Sequence, residues 1–139
     1  MLSLFDGISC GKVALDRAGI KVKKYYASEI DKFAMQVSEK NHPDIIQLGD
    51  VTSWRSWDID WKNVDLLIGG SPCQGFSFAG KQLNFNDDRS KLFFVYVDIL
   101  NHIKSVNPDV KFLLENVKMK AEWQDVISGY LGVKPIRIN

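Results

Sequence analysis

Cysteine, histidine and proline are scarce in this 139-residue chain, at two, two and four residues. The two cysteines, Cys10 and Cys73, lie far apart and follow no secretion signal. That excludes a disulfide framework and points to the reducing cytoplasm. The two histidines, His42 and His102, stand in no metal-binding spacing, so no metal is expected and each is read as a surface or helix-end residue. The longest apolar runs, such as residues 65–69, fall far short of the ~20 residues that span a bilayer. The first six residues lack the basic start and small-residue cleavage site of a signal peptide. An excess of one charge sign is also missing, with 18 Lys plus Arg against 17 Asp plus Glu and a net charge of +1. Free-standing nucleic-acid binders are usually visibly basic. Either nucleic acid is not the partner, or most of the phosphate-binding surface lies elsewhere.

No repeat, low-complexity tract or linker interrupts the chain. Hydrophobic residues make up 45% and charged residues 25%, the balance of a globular domain. The length is that of one domain. Strands are expected at residues 1–5, 25–27, 45–48, 64–68, 110–114 and 133–138, where short β-prone runs meet turn signals. Helices are expected at residues 11–18, 32–41, 91–106 and 121–130, where apolar residues recur at helical spacing. Gly19, Pro43 and Gly132 supply stops. Alternating strands and helices give an α/β fold with a parallel sheet and right-handed crossovers. Ligands in such sheets bind beyond the carboxyl ends of the strands. Chemistry is therefore sought at residues 6–11, 29–31, 49–51, 70–77 and 115–117.

Phe5-Asp6-Gly7-Ile8-Ser9-Cys10-Gly11 joins a strand to a helix, and its glycines permit a tight turn or close approach to a ligand. A merely tight turn fits the same residues. Glu29 follows the next strand, roughly 20 residues past the glycine loop, where a carboxylate commonly accepts from two ribose hydroxyls. The competing role, capping a helix N-terminus, suits Asp31 better. Asp50 could accept from an adenine amino group or cap its own loop, and the sequence favours neither. Cys73 sits between Pro72 and Gln74 in a glycine-flanked loop after a strand. It is badly placed for a core cysteine and well placed for a nucleophile. Leu114-Glu115-Asn116-Val117 runs an apolar strand into a carboxylate. A glutamate at the mouth of a dry cleft can be kept protonated and donate to a ring nitrogen. Trp54, Trp57 and Trp61 are read as packing over the sheet edge rather than stacking on bases. Lys23, Lys24, Lys118 and Lys120 are read as solvated surface.

Taken together these blocks resemble the cytosine-C5 methyltransferase family. The matching residues are 5–11, Glu29, Gly49-Asp50-Val51, Ser71-Pro72-Cys73-Gln74-Gly75-Phe76-Ser77, Asp88-Arg89-Ser90-Lys91-Leu92-Phe93 and Glu115-Asn116-Val117. They come in family order, and Pro-Cys-Gln combined with Glu-Asn-Val is highly specific. Ser90 stands where the family usually has glycine.

The resemblance implies a Rossmann-like methyltransferase sheet over residues 1–139, one incomplete catalytic domain cut before the antiparallel strand and the target-recognition domain. It implies S-adenosylmethionine held by Phe5, Asp6, Gly7, Ile8, Ser9, Cys10 and Gly11. Glu29 would take the ribose, Ile30 the adenine face and Asp50 its amino group, with Val51, Ser71, Pro72 and Leu92 completing the pocket. It implies a cytosine flipped from double-stranded DNA. Cys73 would attack C6 and Glu115 would donate to N3, with Gln74, Gly75, Ser77 and Asn116 around the base. The residues from 81 to 90 would form a loop closing over it. Val133 to Ile138 would lack their usual neighbouring strand. A second segment or polypeptide is expected to supply DNA recognition. An inactive cofactor-binding remnant and an RNA cytosine methyltransferase are the alternatives.

Overall fold

The computed structural model describes residues 1–71 and 90–138. Strands β1 (Leu2–Leu4), β2 (Tyr26–Ser28), β3 (Ile46–Gln47), β4 (Leu66–Gly70) and β5 (Lys111–Glu115) form a parallel sheet in the order β3-β2-β1-β4-β5. The order reverses at β1. The crevice between β1 and β4 at their carboxyl ends is therefore the topological switch point, where open α/β sheets bind ligands.

Helix α1 (Cys10–Arg17) joins β1 to β2, and α2 (Lys32–Asn41) joins β2 to β3. Helix α3 (Lys91–Val106) precedes β5, and α4 (Ala121–Leu131) follows it. The helix boundaries agree with the apolar periodicity to within a residue. Asp31 caps α2, its carboxylate accepting from the amides of Phe33 and Ala34. His42 is the C-cap of the same helix, a helix-end residue as expected.

The main core lies on one face of the sheet. Leu2, Leu4 and Leu67 meet Phe93, Tyr96, Ile99, Leu100 and Ile103 of α3, all of them buried. A smaller cluster of Tyr25, Ala27 and Ile45 forms separately from it.

One expectation is corrected. Residues 133–138 form no strand, and Ile136 and Ile138 are 89% and 90% exposed. A β-prone run without a ladder to join has nothing to satisfy its backbone except water. The tryptophans are packed, as expected, with Trp54 buried in the core and Trp57 and Trp61 partly buried against it. They sit in two 3-10 turns, Val51–Ser56 and Trp61–Asn63, or beside them, and both turns pack on α3. Trp54 and Trp61 meet edge-on, and His102 of α3 contacts both, with ring centres 5.3 and 5.0 Å away.

Candidate active site at the sheet switch point

The glycine loop leaves β1 through a sharp bend. Phe5, Gly7 and Ser9 all have positive φ, at 56°, 61° and 68°. For a non-glycine residue this region costs roughly 1–2 kcal/mol. Such strain persists only where the surroundings over-determine the conformation.

The restraints come from β2, α2 and β3. The Gly7 amide donates to Glu29 Oε1 at 2.8 Å, and the Ile30 and Asp31 amides donate to Oε2 at 2.8 and 3.1 Å. The Asp6 amide donates to the Ser28 carbonyl at 3.1 Å. The Asp6 carboxylate accepts from the Tyr25 hydroxyl at 2.6 Å and from the Ser9 hydroxyl. Ser9 in turn meets Ser38 of α2 at 2.6 Å.

Each glycine of the loop has a distinct reason. A Cβ on Gly7 would project into open space. That gap is a cradle in which a ligand could lie on bare backbone. A Cβ on Gly11 would meet Ile68 Cδ1 at 2.4 Å and the Tyr25 hydroxyl at 3.0 Å. Gly11 therefore lets α1 start close against the sheet. Around the cradle Ile8, Ile30 and Phe33 are 50%, 71% and 80% exposed. Exposed apolar side chains beside a polar cradle suit the flat face of a nucleobase. The residues present thus fit an adenosine-bearing cofactor.

The structure places the other expected site residues as follows. Asp50 caps its loop, accepting from the Thr52 amide and hydroxyl at 2.8 Å each. Those bonds hold its carboxyl below the usual carboxylate range. Val51 is buried in the core, and Leu92 is partly buried against it. Cys10 is exposed at the first residue of α1. Pro72, Cys73, Gln74, Gly75, Ser77 and the rest of residues 72–89, including most of the expected closing loop, lie outside the described residues.

The parallel register sets Gly70 opposite Glu115. A Cβ on Gly70 would sit 2.8 Å from Glu115 Oε2, so the missing side chain makes room for that carboxylate. Glu115 is exposed, so the described residues do not supply the dry cleft expected around it. Ser71 follows directly; among the described residues its buried hydroxyl has no partner, and neither has the buried amide nitrogen of Asn116. Tyr96, missed in the sequence, is fully buried with an unpartnered hydroxyl. Its ring stands 3.2 Å from where a Cβ of Gly69 would be. Among the described residues no group of three His, Cys, Asp or Glu gathers as a metal site, and no helix is long and apolar enough to cross a membrane.

A parallel sheet with a strained glycine loop at its switch point, held by a carboxylate at the end of the neighbouring strand, defines an α/β domain of the ligand-binding kind. The model of the C-5 cytosine-specific DNA methylases matches residues 1–123, and the chain belongs to that family. It is 44% identical over 121 residues to the type II methyltransferase M1.ScrFI of Lactococcus lactis subsp. cremoris, covering 85% of this chain and 28% of that one. It is 41% identical over 123 residues to the orphan methyltransferase M.Rho11sI of Bacillus phage rho11s, covering 85% and 23%. Among solved structures, a Spodoptera frugiperda DNMT2 mutant superposes with a TM-score of 0.62 at 28% identity, over 94% of this chain and 39% of the other. The S. pombe Dnmt2 methyltransferase gives a TM-score of 0.58 at 25% identity, over 91% of this chain and 40% of the other. These methyltransferases depend on S-adenosylmethionine. The chain spans about a quarter of the length of the curated relatives it matches.

Proposed function

We propose that this chain carries the cofactor-binding and nucleophile-bearing part of a DNA cytosine-C5 methyltransferase. The observation that carries the reading is the pairing of Gly70 with Glu115, one strand away from the glycine loop. It supports a shared site for the loop after β1, the segment that Ser71 leads into, and the end of β5.

S-adenosylmethionine, when bound, supplies an electrophilic methyl group. Gly7 and Ile8 would receive it on bare backbone, and Ile30 and Phe33 would shelter the adenine. Glu29 would take the ribose. A carboxylate offers about four lone-pair positions. Three backbone amides already use Glu29, so accepting two ribose hydroxyls requires one of them to yield.

Cytosine C5 is a weak nucleophile. Addition of the Cys73 thiolate at C6 raises its electron density, and a proton donated by Glu115 to N3 lets the ring accept the added electron pair. C5 would take the methyl group with S-adenosylhomocysteine as leaving group. Loss of the C5 proton to solvent would then re-form the C5–C6 double bond and expel the Cys73 thiolate, and the N3 proton would return to Glu115. Ser71 and Asn116 hold polar atoms without partners beside this path, available to a base or the backbone around it. A flipped cytosine of double-stranded DNA is the substrate that fits. The near-neutral charge fits a second segment, in the same chain or a separate polypeptide, that grips the phosphates. The cytoplasm is the expected compartment.

The test is transfer of labelled methyl from S-adenosylmethionine to duplex DNA, and separately to RNA, by the chain combined with a downstream segment of a relative. Label on DNA cytosine C5 that disappears in Cys73→Ala supports the reading. Label on RNA alone would replace the substrate. No label on either, with Cys73→Ala indistinguishable from wild type, would leave the cofactor-binding remnant.

A further inference from the structure

We infer that Tyr25, together with Ser38 and Gln47, is a positioning residue that holds the cofactor loop in its strained shape through Asp6 and Ser9. The inference rests on the reading of residues 5–11 as that loop.

The hydrogen-bond inventory fixes the direction of every link. Ionised Asp6 can only accept, so Tyr25 donates to one oxygen and Ser9 to the other. A serine hydroxyl has one proton. With that proton on Asp6, the 2.6 Å contact between Ser9 and Ser38 has Ser38 as donor. Gln47 Nε2 then donates to Ser38 Oγ at 3.2 Å. Two arms, one from β3 through α2 and one from the start of β2, thus converge on a single carboxylate.

The arms are buried where the loop is bent. Ser9 and Ser38 are fully buried, and Tyr25 is 2% exposed. Burial, and then the bond to Asp6, push the Tyr25 phenol above its ordinary range, while contacts from Ser3 and the Lys12 backbone act the other way. The phenol therefore stays a donor through the neutral range. Ser9 is both the left-handed residue and the N-cap of α1, yet it makes no side-chain cap bond. Its hydroxyl serves Asp6 instead. Hydrogen bonds to charged acceptors are the stronger kind, and here those to Asp6 oppose the backbone strain at Phe5 and Ser9.

Tyr25 touches none of the open cradle over Gly7, so it acts through Asp6 rather than on the cofactor. The experiment uses the 139-residue chain and two readouts, amide hydrogen exchange without cofactor and calorimetric titration with S-adenosylmethionine. Tyr25→Phe is expected to speed exchange selectively at Ser9, Lys12 and Val13, whose amides bond within this loop, while β4 and α3 are unchanged. It should weaken cofactor binding about tenfold, the factor corresponding to ~1.4 kcal/mol. Ser38→Ala should act in the same direction by a smaller factor. In an Asp6→Ala background, Tyr25→Phe should add nothing.

Unchanged exchange at the loop, a general rise across the sheet, or full additivity with Asp6→Ala would overturn the inference. Failure of the wild-type chain to bind S-adenosylmethionine would defeat the cofactor reading, while the exchange pattern would still decide the positioning role.

Discussion

The two sides of the switch point are held by different forces. On the β2–β3 side, α1 buries no residue and α2 buries only Ser38. On the β4–β5 side, α3 buries six side chains, Phe93, Tyr96, Val97, Ile99, Leu100 and Ile103. The first side is tied by directional bonds that end on Asp6 and Glu29. The second is packed by area; among the described residues Ser71, Tyr96 and Asn116 hold buried polar atoms without partners there, against Gln47 Oε1 on the first side. Directional bonds preorganise a binding loop at little cost in core volume, whereas apolar packing supplies stability without fixing a polar geometry. The side proposed to take the cofactor thus has its loop shape fixed by internal bonds. The polar groups on the other side await partners.

The largest effect should come from cutting the packed side. Ile99→Ala should destabilise the chain by ~2–5 kcal/mol in urea unfolding. Phe33→Ala on α2, which is 80% exposed, should stay within about 0.5 kcal/mol and instead weaken S-adenosylmethionine binding in calorimetry. Equal losses of stability would erase the contrast.

A second effect concerns alkaline pH. Burial raises the phenols of both Tyr25 and Tyr96, with the bond to Asp6 adding to the first. The unfolded chain gives up these protons near pH ~10, and the folded chain keeps them to higher pH. Their contribution is fully present below the unfolded value and is lost as pH rises towards the folded values. Melting temperature should fall steeply above about pH 10, and Tyr25→Phe/Tyr96→Phe should flatten the fall relative to wild type. An identical slope would contradict the assignment.

Tyr96→Phe alone tests the unpartnered hydroxyl. Removing a buried group that bonds to nothing should be neutral or stabilising by up to ~1 kcal/mol at neutral pH. A loss above ~1 kcal/mol would reveal a partner. The smallest effect belongs to Gly70→Ala. Its Cβ meets the far end of a flexible glutamate, so stability should change little while the Glu115 carboxylate moves. A carboxyl 13C resonance of Glu115 unchanged by the substitution would contradict that placement.

The contrast also explains what was legible in the sequence. Helical periodicity marks α3, because six buried positions recur on one face. The glycine loop and Glu29 are local signals at element ends. Asp50 carried two readings; the structure shows the capping bonds to Thr52, both on Oδ1. Tyr25 and Ser38 escaped because their bonds join residues 19 and 29 positions apart, and no local pattern encodes such a meeting. Tyr96 escaped because nothing in the local sequence shows that its hydroxyl is buried against the sheet. Residues 133–138 misled because β propensity reflects fitting a sheet surface, and here the segment joins no ladder.

The most direct test of the site is amide NMR of the 139-residue chain titrated with S-adenosylmethionine. The account predicts shifts concentrated at Gly7, Ile8, Glu29, Ile30, Phe33 and Ser71, with the groove at the opposite, amino ends of the strands, around Lys21, Asp60 and Asn63, unaffected. Saturable shifts confined to that opposite groove, or no shifts at any concentration, would contradict it.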